Sequence, residues 1–165
     1  MKTRCFIAID LPKVVKEEIV AFQESLKEFP GVFVYEKDPH LTLAFWGEGE
    51  LIDAQTKLHH LKQRPFSLEL STIGAFGTPA RVFWVGINEG NKLEHLSKQF
   101  DSLNEFHAHI TIARAKKRID PHLLKKILSI KAVPVKFTVE NISLYESVKA
   151  KERYLHKKRA TKQLL

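Results

Sequence analysis

The apolar positions of the chain come in short runs separated by longer periodic stretches. Residues 6–9 (FIAI) form an apolar run closed by Asp10 and Pro12, which predicts a buried strand and then a helix entry. From 14 to 29 apolar residues recur at Val15, Ile19, Phe22, Leu26 and Phe29, with Lys and Glu on the other face. That is the spacing of an amphipathic helix, and Pro30-Gly31 ends it. Strands are predicted at 32–35 and, after the Lys37-Asp38-Pro39 turn, at 40–46. A turn at 47–50 leads into a helix at 51–61. Strands follow at 66–73 and 82–87, joined by a loop at 74–80 that is rich in turn residues. Leu93, Leu96, Phe100 and Leu103 share one face of a helix at 91–103. A strand at 107–113, a short helix at 121–128 and strands at 133–139 and 142–145 come next; after Tyr154 no pattern predicts an element.

This order contains a repeat. Strand 6–9, a helix and a strand bearing His40-Leu-Thr-Leu43 make the first copy. Strand 82–87, a helix and a strand bearing His109-Ile-Thr-Ile112 make the second. The order predicts an α+β architecture: a bilobal, duplicated fold with pseudo-two-fold symmetry. Two antiparallel sheets would line a central cleft, with helices on their outer faces. Residues 1–165 read as one two-lobed domain with a basic tail from about 149 to 165.

In a strand, residues i and i+2 point to the same face. His40 and Thr42 therefore face together, with Leu41 and Leu43 turned into packing; His109 and Thr111 do the same, with Ile110 and Ile112 behind them. If the lobes face each other, two imidazoles and two hydroxyls converge. Two imidazoles titrating near neutrality suit paired acid–base work. The hydroxyls suit phosphate oxygens. A metal is not expected: no HExxH or Cys/His cluster appears, and a two-histidine zinc site would need carboxylates from elsewhere in the chain.

Composition narrows the partner. The formal charge is +8 and the isoelectric point about 9.6, which favours a polyanion such as nucleic acid. The charge concentrates at Arg114–Arg118 and between Lys149 and Lys162. No apolar run approaches a membrane span, and the N-terminus makes a poor signal peptide. The single cysteine, Cys5, rules out an internal disulfide framework. A cytoplasmic monomer without membrane contact is the expectation.

Several segments together resemble the two-histidine phosphoesterase superfamily, and within it the RNA 2',3'-cyclic phosphodiesterases, also named 2'-5' RNA ligases. They are Arg4-Cys-Phe-Ile-Ala-Ile-Asp-Leu-Pro12, His40-Leu-Thr-Leu-Ala-Phe-Trp-Gly-Glu48, Arg81-Val-Phe-Trp-Val-Gly86, His107-Ala-His-Ile-Thr-Ile-Ala-Arg114, Ser143-Leu-Tyr-Glu-Ser147 and Tyr154. The resemblance implies a cofactor-free, metal-independent enzyme acting on RNA ends with a terminal 2',3'-cyclic phosphate, which it would open to a 2'-phosphate. His40 would be the general acid, His109 the general base, and Thr42 and Thr111 the phosphate holders. The same site run backwards would join a cyclic phosphate to a 5'-hydroxyl through a 2'-5' linkage. A binding module that uses the same basic cleft without turnover is the alternative reading.

Arg114, five residues after His109, is expected to contact phosphate, and Arg81 more weakly so. Of the aromatic residues able to stack on an unpaired base, Phe33 and Phe76 are the candidates. His59, His60, His95, His107, His122 and His156 read as surface or helix residues rather than ligands; His107 shares the face of His109 and could assist it.

Overall fold

The computed structural model of the protein describes residues 4–48, 51–88, 91–100, 105–151 and 153–165. The chain runs β1 (Arg4–Ile9), α1 (Lys13–Leu26), β2 (Phe33–Tyr35), β3 (Leu41–Glu48), α2 (Leu51–His60), β4 (Phe66–Phe76) and β5 (Val82–Asn88). It continues with α3 (Lys92–Lys98), β6 (His109–Ala115), α4 (Pro121–Leu128), β7 (Lys136–Val139), β8 (Asn141–Ala150) and β9 (Arg153–Gln163). Among the described residues the strands make two antiparallel sheets. One has four strands in the order β3-β1-β8-β9, the other five in the order β2-β6-β5-β4-β7.

The repeat is visible in that order. β3, β1, β8 and β9 correspond to β6, β5, β4 and β7, and each motif strand lies beside the strand that opens its copy. The helices, however, are exchanged. α1 leaves the first sheet through β1 but packs against β6 of the second, while α3 leaves the second sheet and packs against β3 of the first. α2 covers β1, β8 and β9, and α4 lies against β4. β2 also crosses over, pairing with β6 although it precedes β3 in the chain. Hydropathy foretells that an amphipathic helix has a sheet to cover, not which sheet. The buried side chains of both sheets form one connected cluster, from Ile7, Ile9 and Leu41 through Leu43 and Phe100 to Phe83, Val85 and Ile110.

Boundaries differ from the hydropathy pattern for local reasons. α1 stops at Leu26 and the chain turns through Lys27 to Phe29, because the residue before Pro30 is kept out of the helical region. β7 starts only at Lys136, after Pro134, which has no N–H for a ladder. β4 runs on to Phe76, so the loop expected at 74–80 is a tighter turn from 77. Gly47 and Glu48, expected in a turn, continue β3; residues 49–50 lie outside the described ones, as do 101–103 of the helix expected at 91–103.

The largest difference is β9. The stretch after Tyr154 belongs to an eleven-residue strand, Arg153–Gln163, on the edge of the four-stranded sheet, paired along its length with β8. Its sequence, RYLHKKRATKQ, carries cations on both faces and so shows no apolar alternation. Charged edge strands of this kind are common, because lysine on an exposed edge discourages pairing with other chains.

Candidate active site

Both motif strands carry a bulge at the same place. Along β1, Ile7 pairs with Ala44 and Ala8 with Thr42, leaving Leu43 as an extra residue. Along β5, Phe83 pairs with Ala113 and Trp84 with Thr111, leaving Ile112 extra. Strict alternation from each histidine would turn Phe45 and Arg114 into the core. The bulge resets the phase, and both side chains emerge exposed, Phe45 beside Phe6 and Arg114 beside Val82. The extra residues are buried, and the exchanged helices bind their carbonyls. Ser97 of α3 donates to the Leu43 carbonyl at 2.6 Å. Gln23 of α1 donates to the Ile112 carbonyl at 3.0 Å and to that of Glu36 at 2.7 Å.

The two histidines are anchored alike. His40, one residue ahead of β3, donates through Nδ1–H to the Asp38 carbonyl at 2.8 Å. His109 donates through Nδ1–H to the His107 carbonyl at 2.6 Å. Each bond reaches back two residues, and each leaves Nε2 as the ring nitrogen not engaged by backbone. The hydrogen-bonded neighbour of one nitrogen fixes which nitrogen is available for chemistry.

Aromatic rings form the walls. Phe6 stacks on His40 with centroids 4.8 Å apart, and Tyr145 stacks on Phe6 at 5.2 Å. Across the cleft Phe76 meets His109 edge-on at 4.9 Å and packs against Trp84 at 5.1 Å. The Trp84 indole lies over Gly74, where a Cβ would come within 2.1 Å of the ring. Phe76 is set at the end of β4 by a turn that the Arg81 N–H closes onto its carbonyl at 2.8 Å; Gly77 takes a φ of +99° there, a conformation open to glycine.

Burial holds the His109 imidazole below the ordinary histidine value, and the nearby charges of His107, His40 and Arg114 act in the same direction against the His107 carbonyl bond. On the other wall Asp10 accepts from Tyr145 Oη at 2.6 Å, Ser143 Oγ at 2.7 Å and Lys158 Nζ at 2.9 Å. Burial, then the Asp10 carboxylate, pushes the Tyr145 phenol upward, which keeps it protonated. A small recess beside His40 is lined by Asp10, Tyr145 and Lys158 with Lys16 and Asp38.

The structure thus brings the two motif strands into contact, with His40 within electrostatic reach of His109 and Phe76 against the His109 ring. The half-buried hydroxyl residues Thr42 and Thr111 stand two positions on from the histidines, and Arg114 acts electrostatically on His109. Arg81 is exposed at the β4–β5 turn, tied in through its backbone. Phe33 is a correction: it is only 5% exposed and packs edge-on against Phe83 at 5.2 Å, so its ring has no face left for a base. His107 lies 5.9 Å from His109 and 4.8 Å from Trp84, inside the site. The residue that sequence reasoning missed is His156. β9 carries it to within 5.3 Å of His40 and 5.0 Å of Phe6, ring centre to ring centre. Among the described residues no group of three or more His, Cys, Asp or Glu is placed to hold a metal ion.

Comparison with known proteins points one way. The profile of the 2'-5' RNA ligase superfamily matches residues 11–151. The chain is 33% identical over 158 residues to the RNA 2',3'-cyclic phosphodiesterase of Methanocaldococcus jannaschii, covering 87% of this chain and 91% of that one. It is 34% identical over 128 residues to the RNA 2',3'-cyclic phosphodiesterase of Escherichia coli, covering 67% and 71%. Among solved structures, E. coli LigT complexed with NADP+ superposes with a TM-score of 0.77 at 26% identity, covering 99% of both chains. TT0787 of Thermus thermophilus superposes at 0.80 over 98% of this chain and 97% of that one; at 23% identity it speaks for the fold.

Proposed function

The chain belongs to the 2'-5' RNA ligase superfamily, the two-histidine phosphoesterases that include the RNA 2',3'-cyclic phosphodiesterases, and we propose that it opens the terminal 2',3'-cyclic phosphate of RNA to a 2'-phosphate. The observation that carries this reading is the matched anchoring of two imidazoles, each by the carbonyl two residues back, on facing strands that carry the same motif and the same bulge.

The chemistry needs one proton removed and one delivered. His109, its imidazole kept neutral by burial, takes the proton from water through Nε2 as the water oxygen attacks phosphorus. The bond from phosphorus to the 3'-oxygen breaks. His40, protonated at Nε2, gives its proton to that oxygen, which leaves as the 3'-hydroxyl. Thr42 and Thr111 donate hydrogen bonds to the phosphate oxygens, and Arg114 offsets the charge that builds on them. Phe76, beside His109, offers a face to the terminal base. No step calls for a metal or a cofactor. With a 5'-hydroxyl in place of water, the same two proton transfers join RNA through a 2'-5' linkage.

The test is to incubate the purified protein, in EDTA, with a short RNA ending in a 2',3'-cyclic phosphate and identify the product end, with His40→Ala and His109→Ala beside it. Release of a 2'-phosphate by the wild type alone supports the reading. Tight, salt-sensitive binding without turnover in any of the three would replace it with a binding module.

A further inference from the structure

His156 lies on the same wall as His40 but belongs to no part of the motif. It projects from β9 opposite Ser147 of β8, and its Nδ1 is 3.1 Å from Ser147 Oγ. That bond and the edge of the Phe6 ring fix its orientation. Its plane stands at 79° to that of His40 with the centroids 5.3 Å apart. His40 is thus held from two sides, by the face of Phe6 and by His156 in a T-shaped contact. The second lobe has a counterpart: His107 stands 65° to His109 at 5.9 Å. Each motif imidazole therefore has a second imidazole beside it.

We propose that His156 is a positioning residue of this site, which holds the His40 ring in place by its T-shaped contact and stands close enough to couple to its charge. This rests on the reading of His40 as the proton donor. Two imidazolium rings at this separation repel, so one proton is favoured on the pair. Burial, then the charge of His40, lowers the proton affinity of His156, against the opposing pull of Asp38 and Glu36. His40 is tethered on its other side, its Nδ1–H donated to the Asp38 carbonyl. Among the described residues, the other titratable or charged groups facing this side are Arg4 and Asp10 on or beside β1, Tyr145 and Lys149 on β8, Tyr154 and Lys158 on β9, and Lys16 at the recess beside His40. Asp10 and Lys158 are already paired with each other, and Arg4 is engaged by the Tyr154 hydroxyl.

The experiment compares wild type with His156→Ala, His156→Phe and His156→Arg. It measures kcat and KM on an RNA ending in 2',3'-cyclic phosphate across pH, and follows the His40 ring titration by NMR without substrate. His156→Ala is expected to lower kcat about ten-fold with little change in KM, since the His40 ring loses its T-shaped contact. His156→Phe restores the contact and recovers most of that loss. His156→Arg places a fixed charge beside His40, so the His40 midpoint and the alkaline limb of the pH profile both move to lower pH. An unchanged His40 titration in His156→Arg overturns the inference. So does a kcat that falls as far in His156→Phe as in His156→Ala, which would make His156 a group that touches substrate. Absence of turnover in the wild type would instead count against the proposed function, and the NMR titration would still decide the role of His156.

Discussion

Ser97, on the helix that leaves the second sheet, hydrogen-bonds the carbonyl of Leu43, the extra residue of the bulge in the first. Gln23 makes the matching bond to Ile112 from the other side of the pseudo-two-fold. A bulge leaves backbone groups outside the ladder, and a buried one needs partners from elsewhere. Removing either donor leaves a buried carbonyl short of a bond. Ser97→Ala is expected to cost about 1–3 kcal/mol in urea unfolding. Gln23→Ala should cost no more at Ile112, whose carbonyl also accepts the Glu36 N–H at 2.9 Å. Equal stability of Ser97→Ala and wild type would mean the bulge does not depend on α3.

The proton-transfer roles have a magnitude. His40→Ala and His109→Ala should each lower kcat by about 10²–10⁴-fold, the usual contribution of general acid–base catalysis. Because the two act on one reacting centre, the double variant should fall little further than either single one. A rate that drops less than ten-fold in either single variant would remove that residue from the mechanism.

Acid should weaken the protein through the same rings. His109 and His156 both have folded proton affinities below the ordinary imidazole value, chiefly through burial. The unfolded chain then binds more protons than the folded one once the pH falls below about 6.5. Their contribution to stability is whole above that pH and shrinks below it, levelling off under the folded values. Melting temperature followed from pH 8 to pH 5 should fall in the wild type and fall less in His109→Gln. Parallel curves would show that His109 is not the group responsible.

Gly74 bears on the cleft from behind. A methyl group there would occupy the space of the Trp84 ring, 2.1 Å from its nearest atom. Gly74→Ala must displace the indole or bend β4, and overpacking of this kind costs about 1–3 kcal/mol. Since Trp84 supports Phe76, and Phe76 supports His109, kcat should fall along with the melting temperature. An unaltered melting temperature would mean that Trp84 has room to move.

The motif histidines and threonines were legible because a two-residue period and a repeated tetrapeptide are local signals. The bulges left a fainter trace: both motifs continue into alanine, at Ala44 and Ala113, before the side chain that the bulge turns outward. Phe33 misled because an aromatic residue in a three-residue strand looks the same whether its ring meets solvent or, as here, Phe83. His156 was hidden by its neighbours. Tyr154, His156 and Lys158 alternate with Leu155, Lys157 and Arg159, so neither face of β9 reads as apolar. The exchange of α1 and α3 is a tertiary choice that no local pattern encodes.

That exchange makes the turn at Gly77 a revealing place to cut. The piece before it would carry strands of both sheets, β1 and β3 of one with β2 and β4 of the other, and the piece after it would do the same. Neither piece owns a whole sheet, and each bears one motif histidine. Mixed together, the halves would have to interleave to rebuild either wall, so complementation would be all or nothing. An isolated half would be a donor without an acceptor, or an acceptor without a donor.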